Sequence, residues 1–198
     1  MAQIIEKDIL DLTKDDLKYG KAVLMQQVNC QNEMDAGVAI AIDKLARKLF
    51  DVSTIDWYHQ AWNQIFDNGS SQNVFARSLK FGAYNQAFNN GNFNQIKQVK
   101  KLYDTTDLPL YVICGTFAFS FSQWNCGSDS RHYTNDQRLV NNIKTICKTP
   151  DIGFDKPYET VYIPYKIGCG LGGGDWNYIY DQIKDIPNLV ILKRKEEK

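Results

Sequence analysis

The chain has no excess of either charge: 23 lysines and arginines balance 23 aspartates and glutamates. A duplex nucleic acid is held through a basic footprint. The one basic cluster here, Lys193-Arg194-Lys195, is diluted by Glu196 and Glu197, so nucleic acid is not expected as a partner. Cysteines number five, an odd count, and none are spaced C-x-x-C, which argues against a zinc knuckle or a disulfide framework. No metal or cofactor is expected. No apolar run approaches the length of a membrane span. Residues 1–16 are rich in acids where a signal peptide would carry an apolar core. A soluble, cytoplasmic, monomeric protein is therefore the expectation.

Glycine, by contrast, is concentrated. Between Gly168 and Gly174 five of seven positions are glycine, preceded by the β-branched and aromatic run at 161–165 and followed by Asp175-Trp176 and a helical pattern through Ile179 and Ile183. Strand, glycine loop and helix start together build an anion site from backbone, because amides without a Cβ in the way can turn toward a phosphate. Gly168-Cys-Gly-Leu-Gly-Gly173 satisfies the dinucleotide pattern G-x-G-x-x-G. Its position argues against that reading, since about 25 residues follow, too few for the second half of such a fold. The Gly-Lys-Ser/Thr of a phosphate-binding P-loop is also absent.

The rest of the chain alternates strands and helices. Strands are expected at 4–5, 22–28, 160–163 and 189–192, and one long, doubly covered central strand at 110–121. Helices are expected over 37–50 (Val38, Ile42, Leu45, Ala46, Leu49), 56–66, 135–147 (Leu139, Val140, Ile143, Ile146) and 175–186. Residues 68–94, rich in Asn, Gln, Gly and Ser, read as an irregular excursion, and 95–103 fits a strand or a basic helical turn. The pattern predicts an α/β protein: one three-layer α/β/α domain over residues 1–198, with a mixed, mostly parallel central sheet.

A second strand, loop and helix start runs from Val28 through Asn29 to Gly37-Val38-Ala39, and would face the glycine loop across one crevice. A third element is Ile4-Ile-Glu-Lys-Asp-Ile9. Together these motifs resemble the macro domain family, which binds ADP-ribose, over essentially the whole chain outside the excursion. That family's N-terminal Gly-Asp-Ile reads Lys7-Asp8-Ile9 here, with lysine in the glycine's place. The run Gly168 to Trp176 and the segment Arg131-His-Tyr-Thr-Asn135 are similar to the phage and yeast-type subgroup that processes ADP-ribose-1″-phosphate.

The resemblance implies a macro-type fold and assigns roles. Asp8 would accept from the adenine amine and Ile9 would contact the ring; a turn or helix-cap role for Asp8 is the alternative. Gly37, Val38, Gly168, Gly170, Leu171, Gly172, Gly173 and Gly174 would surround the diphosphate, and Asn29 would face the distal ribose. Three residues are candidates for catalysis. Asp35 stands where related sequences carry glycine and could activate water, His132 is of the residue type best suited to proton transfer, and Asp175 is either catalytic or a helix cap. Cys30 and Cys169 have no evident base and are not expected to act as nucleophiles. A lysine–aspartate mechanism known in one branch is not expected either. Gly172 occupies the aspartate's place, and no lysine lies between Tyr103 and Lys144. The implied activity is ADP-ribose binding with hydrolysis of ADP-ribose-1″-phosphate to ADP-ribose and phosphate. The alternatives are a non-catalytic reader, a hydrolase that removes ADP-ribose from a macromolecule, and a domain for another phosphorylated ligand.

Overall fold

The computed structural model describes residues 1–29, 33–34, 37–62, 79–80, 111–123, 132–148 and 155–195, of which 61, 79 and 80 are described in backbone only. Ala22–Asn29 (β2) is the centre of the sheet. Its first five residues are fully buried, as expected of a strand covered on both faces. β2 pairs in parallel with Thr160–Pro164 (β6) on one side and Phe117–Gln123 (β5) on the other. Leu189–Lys193 (β7) and Gln3–Glu6 (β1) extend one edge, while Tyr111–Cys114 (β4) and Leu79–Lys80 (β3) extend the other. The result is a seven-stranded sheet ordered β1-β7-β6-β2-β5-β4-β3. All these pairings are parallel except β4 with β5.

That exception corrects the sequence reading of 110–121 as one strand. The run turns back on itself at Gly115, whose φ of +60° suits glycine, and Cys114 pairs with Phe117. Both arms are buried at almost every position, and Gly115-Thr116 is the only interruption of the apolar run between them.

Alternation along β2 splits the core. Val23 and Met25 face Leu139, Val140, Ile143 and Ile179, which come from Asp136–Lys148 (α3) and Trp176–Ile183 (α4). Leu24 faces Ile42, Leu45 and Ala46 of Val38–Phe50 (α1), with Leu12 and Leu17 beside them. The helix periodicity expected over 37–50 and 135–147 is thus used on opposite faces of the sheet, and the described residues form an α/β/α sandwich.

Thr54–Trp62 (α2) is tied to α1 through Asp43. This carboxylate accepts from Arg47 Nε at 2.7 Å, Ser53 Oγ at 3.1 Å and the Ile55 amide at 3.1 Å. Residues 63–66 of the expected second helix, 95–103 and the excursion apart from β3 lie outside the described residues. Among the described residues no helix is long and apolar enough to cross a membrane.

Because β1, β7, β6, β2 and β5 run in parallel, their carboxyl ends share one edge of the sheet. β2 is the strand from which the order departs in both directions, and the loops leaving β2 and β6 bound a crevice there.

Candidate functional site

The glycine loop leaves β6 at Pro164. Tyr165 still pairs outward, its amide donating to Leu192 O at 2.8 Å. Lys166 then adopts φ +56° and the buried Ile167 plugs the turn. Gly168 cannot be replaced cheaply, because its φ of +80° strains any residue with a Cβ, which would also crowd Leu139 Cδ2 at 2.9 Å. The loop's carbonyls point back into the protein. Gly168 O accepts from Gly174 N and from Thr134 Oγ1, both at 2.9 Å. Gly172 O accepts from Tyr133 N and Thr134 N, also at 2.9 Å. A Cβ on Gly172 would lie 2.4 Å from Thr134 Oγ1. The amides of Gly170, Leu171 and Gly172, by contrast, make no hydrogen bond among the described residues. Bonded carbonyls with unbonded amides in a glycine-rich turn are the arrangement of a backbone anion nest.

The opposite wall is the start of α1. Gly37 has φ +62° and ψ −133°, and among the described residues no side chain caps the helix. The other described helix starts are all capped: the short 3-10 turn Ile9–Asp11 by Asp8, α2 by Ser53, α3 by Asn135 and α4 by Asp175. An uncapped start leaves first-turn amides unpaired at the positive end of the helix dipole.

Between these walls lies a cavity of ≈ 320 Å³, lined by Gln27, Asn29, Glu33, Gly37, Val38, Gln123 and the loop from Tyr165 to Gly172 except Cys169. A second cavity, ≈ 580 Å³, is lined by Lys7, Asp8, Ile9, Leu10, Ala41, Leu192 and Arg194. Gly37, Val38, Pro164 and Tyr165 line both, so the two are halves of one crevice with its waist between helix start and glycine loop.

The structure brings Asp8, Ile9, Asn29, Gly37, Val38, Gly168, Gly170, Leu171 and Gly172 onto this crevice. Gly173 (φ +65°) and Gly174 are in the loop without lining the cavity, and their amides are spent on Gly170 O and Gly168 O. Asn29 is buried and turned into its own loop. Its Nδ2 donates to Glu33 O at 2.5 Å, and its Oδ1 accepts from Tyr58 Oη at 3.0 Å. Asp175 caps α4, accepting from the amides of Asn177 at 2.9 Å and Tyr178 at 3.2 Å. Asp35, Cys30 and Arg131 lie outside the described residues.

His132 stands outside the cavity lining, at the rim of the glycine loop, with Nε2 3.2 Å from Asp136 Oδ2. Burial pushes the Asp136 carboxyl above the usual carboxylate range, opposed by the Asp175 amide and by His132. The Cys169 thiol is pushed up to about 11 by burial and by Asp136 and Asp175, which agrees with its exclusion as a nucleophile.

Gln27, Glu33, Gln123, Thr134, Tyr165 and Arg194 were given no site role from the sequence, although Thr134, Tyr165 and Arg194 lie in runs named there, Arg194 as part of the basic cluster near the end of the chain. Gln27 Nε2 donates to Ser122 Oγ (3.1 Å) and Thr134 Oγ1 (3.2 Å), so one side chain ties the ends of β2 and β5 to the segment that carries Gly168. Tyr165 and Arg194 each directly follow or closely follow the end of a parallel strand, and that placement was the available signal.

No protein-family model matches the chain, and no curated protein matches it. Among solved structures it is similar in fold to a protein from Bacteroides thetaiotaomicron, with 14% identity over 98% of this chain and 99% of that one, at a TM-score of 0.55. Two weaker likenesses are the macrodomain of Mycobacterium tuberculosis DarG (13% identity, 100% of both chains, TM-score 0.45) and Thermosipho africanus DarTG in complex with ADP-ribose (13% identity, TM-score 0.47). The latter match spans 98% of this chain and 42% of the other. At scores below 0.5 these two carry no functional weight.

Proposed function

We propose that the protein binds ADP-ribose in this crevice and hydrolyses ADP-ribose-1″-phosphate to ADP-ribose and inorganic phosphate. One observation carries the binding half. The uncapped start of α1 faces unbonded glycine-loop amides across a cavity, and that cavity continues to Asp8 and Ile9. Glycine-loop amides facing a helix start, with no partner for either among the described residues, suit a diphosphate better than a single phosphate. Adenine would then occupy the half lined by Asp8 and Ile9, and the distal ribose the half lined by Asn29 and Glu33.

For hydrolysis, water would attack the phosphorus, the bond to the ribose oxygen would break, and that oxygen would take a proton. Amides of Gly170 to Gly172 would stabilise charge on the phosphate oxygens. Asp35, or Glu33 on the cavity wall, would orient the water. His132, held by Asp136, would supply the proton from the loop rim.

A second reading, a non-catalytic reader, is favoured by one pair of facts: Asp175 is spent as a helix cap, and the Asn29 amide is closed onto Glu33. Two measurements separate them. The phosphatase reading expects a thermal shift with ADP-ribose together with release of free phosphate from ADP-ribose-1″-phosphate. A shift without turnover leaves the reader. No shift at millimolar ADP-ribose removes both.

A further inference from the structure

The crevice carries positive charge that the backbone amides of the diphosphate site do not account for. Four of its lining residues are cationic: Lys7, Lys166, Lys193 and Arg194. Lys7 is paired with Asp16 at 2.9 Å and Arg194 with Asp8 at 3.2 Å. Lys166 and Lys193 make no ion pair among the described residues, although Glu6 stands opposite Lys193 where β1 pairs with β7. Both converge instead on one ring. Lys166 Nζ lies 5.6 Å and Lys193 Nζ 5.5 Å from the centre of Tyr165.

Strand pairing brings them there. Pro164 is opposite Leu192 where β6 pairs with β7, so Tyr165 and Lys193 are the next residues on neighbouring strands. Lys166 follows with its φ of +56° as the chain turns into the glycine loop. The ring itself is held by an edge contact with Trp176 at 5.2 Å, and Trp176 stacks on Tyr180 at 5.7 Å. A lysine over an exposed ring gains only about 0.5–1 kcal/mol. Its ammonium has three N–H donors, and those turned away from the ring stay available to an anion. Position then names the anion. With adenine in the Asp8 half and the diphosphate at the waist, the adenosine ribose lies between them, against residues that line both halves. Tyr165 is one of these. The hydroxyls of that ribose are where a further phosphate can be attached.

We propose that Lys166 and Lys193 form a second anion subsite beside Tyr165, for a phosphomonoester on the adenosine ribose, so that the crevice prefers ligands carrying a 2′- or 3′-phosphate there. This inference rests on the reading of the crevice as an ADP-ribose site. The test is calorimetric titration of the full chain as wild type, Lys166→Gln, Lys193→Gln and Lys193→Arg. Two ligand pairs are compared: ADP-ribose with its 2′-phosphate, and AMP with adenosine 3′,5′-bisphosphate. In wild type at low salt, the phosphorylated member of at least one pair should bind about tenfold or more tighter than its parent, and added salt should shrink that ratio. Each glutamine variant should bring the ratio down toward one, while Lys193→Arg, which keeps the charge, should preserve it. Equal binding within both pairs by wild type overturns the proposal and leaves the ADP-ribose site standing. A preference that survives both glutamine variants also overturns it. So does a variant that weakens both members of a pair equally, since that would place the lysines on the diphosphate. Wild type binding neither ADP-ribose nor its 2′-phosphate overturns the ADP-ribose reading itself, and this proposal with it.

Discussion

A Cβ built on Gly170 meets nothing within 4 Å, whereas one on Gly172 meets Thr134 Oγ1 at 2.4 Å and Gly168 O at 2.7 Å. The two glycines therefore do different work in the same loop. Gly170→Ala should melt with the wild type yet lose about tenfold in ADP-ribose affinity, because its methyl would have only a ligand to crowd. Gly172→Ala should destabilise the fold by roughly 1–3 kcal/mol, since backbone and a bonded hydroxyl would have to move. Thermal melts and titrations on both variants check this, and a Gly170→Ala protein with unchanged affinity would count against the nest. Gln26 is a different case. It is fully buried on β2, and among the described residues neither amide atom has a hydrogen-bond partner. An unsatisfied buried amide costs about 1–3 kcal/mol, so Gln26→Met, of similar shape, should raise the stability measured by urea unfolding by about 1 kcal/mol or more.

At the scale of elements, α1 and α2 meet around a single carboxylate. Burial works to raise the pKa of Asp43, but the Arg47 bond, the Ile55 amide and Ser53 together outweigh it, and the net value is lowered. A carboxyl depressed by folding contributes stability above its unfolded value of about 3.9, and that contribution is lost as pH falls through the lower folded value. The Arg47 side chain is 58% exposed, so the ion pair itself contributes little and the buried donors contribute most. Asp43→Asn should therefore cost about 2–3 kcal/mol at pH 7, because an amide cannot satisfy the same set of donors. The gap from wild type should close as pH drops below about 4. Urea unfolding at pH 7 and pH 3 is the measurement, and a gap independent of pH would show that packing, not charge, holds the junction.

The elements also show what the sequence could and could not reveal. Helices α1, α3 and α4 were readable because each covers only one face of the sheet, so polar residues interrupt the apolar ones at the helical period. Strands β4 and β5 were read as one because both are covered on two faces. Only Gly115-Thr116 distinguished the turn, and one glycine with a β-branched threonine in an apolar run is weak punctuation. The glycine loop was readable because its backbone needs residues without a Cβ at Gly168 and Gly172. Arg194 and Gln27 were not, because their place in the crevice depends on which strands pair, and pairing leaves no local mark.

For the molecule as a whole, the crevice matters as a length. Its two halves share Gly37, Val38, Pro164 and Tyr165 and are otherwise lined by different residues, on strands that come from the beginning, middle and end of the chain. A ligand that spans both should clamp β1, β2, β6, β7 and α1 together, while a fragment confined to one half should clamp fewer of them. Any ligand that binds only the folded state raises stability by RT ln(1 + [L]/Kd), or about 2.7 kcal/mol at a hundredfold excess over Kd. For a chain of this size that corresponds to roughly 5–10 °C in Tm. ADP-ribose at 1 mM should give a shift of about that size if its Kd is near 10 μM, with AMP clearly smaller and ribose 5-phosphate smaller still. Equal shifts from AMP and ADP-ribose would mean that only the Asp8 half is occupied. In that event the uncapped start of α1 and the open glycine amides would need another ligand.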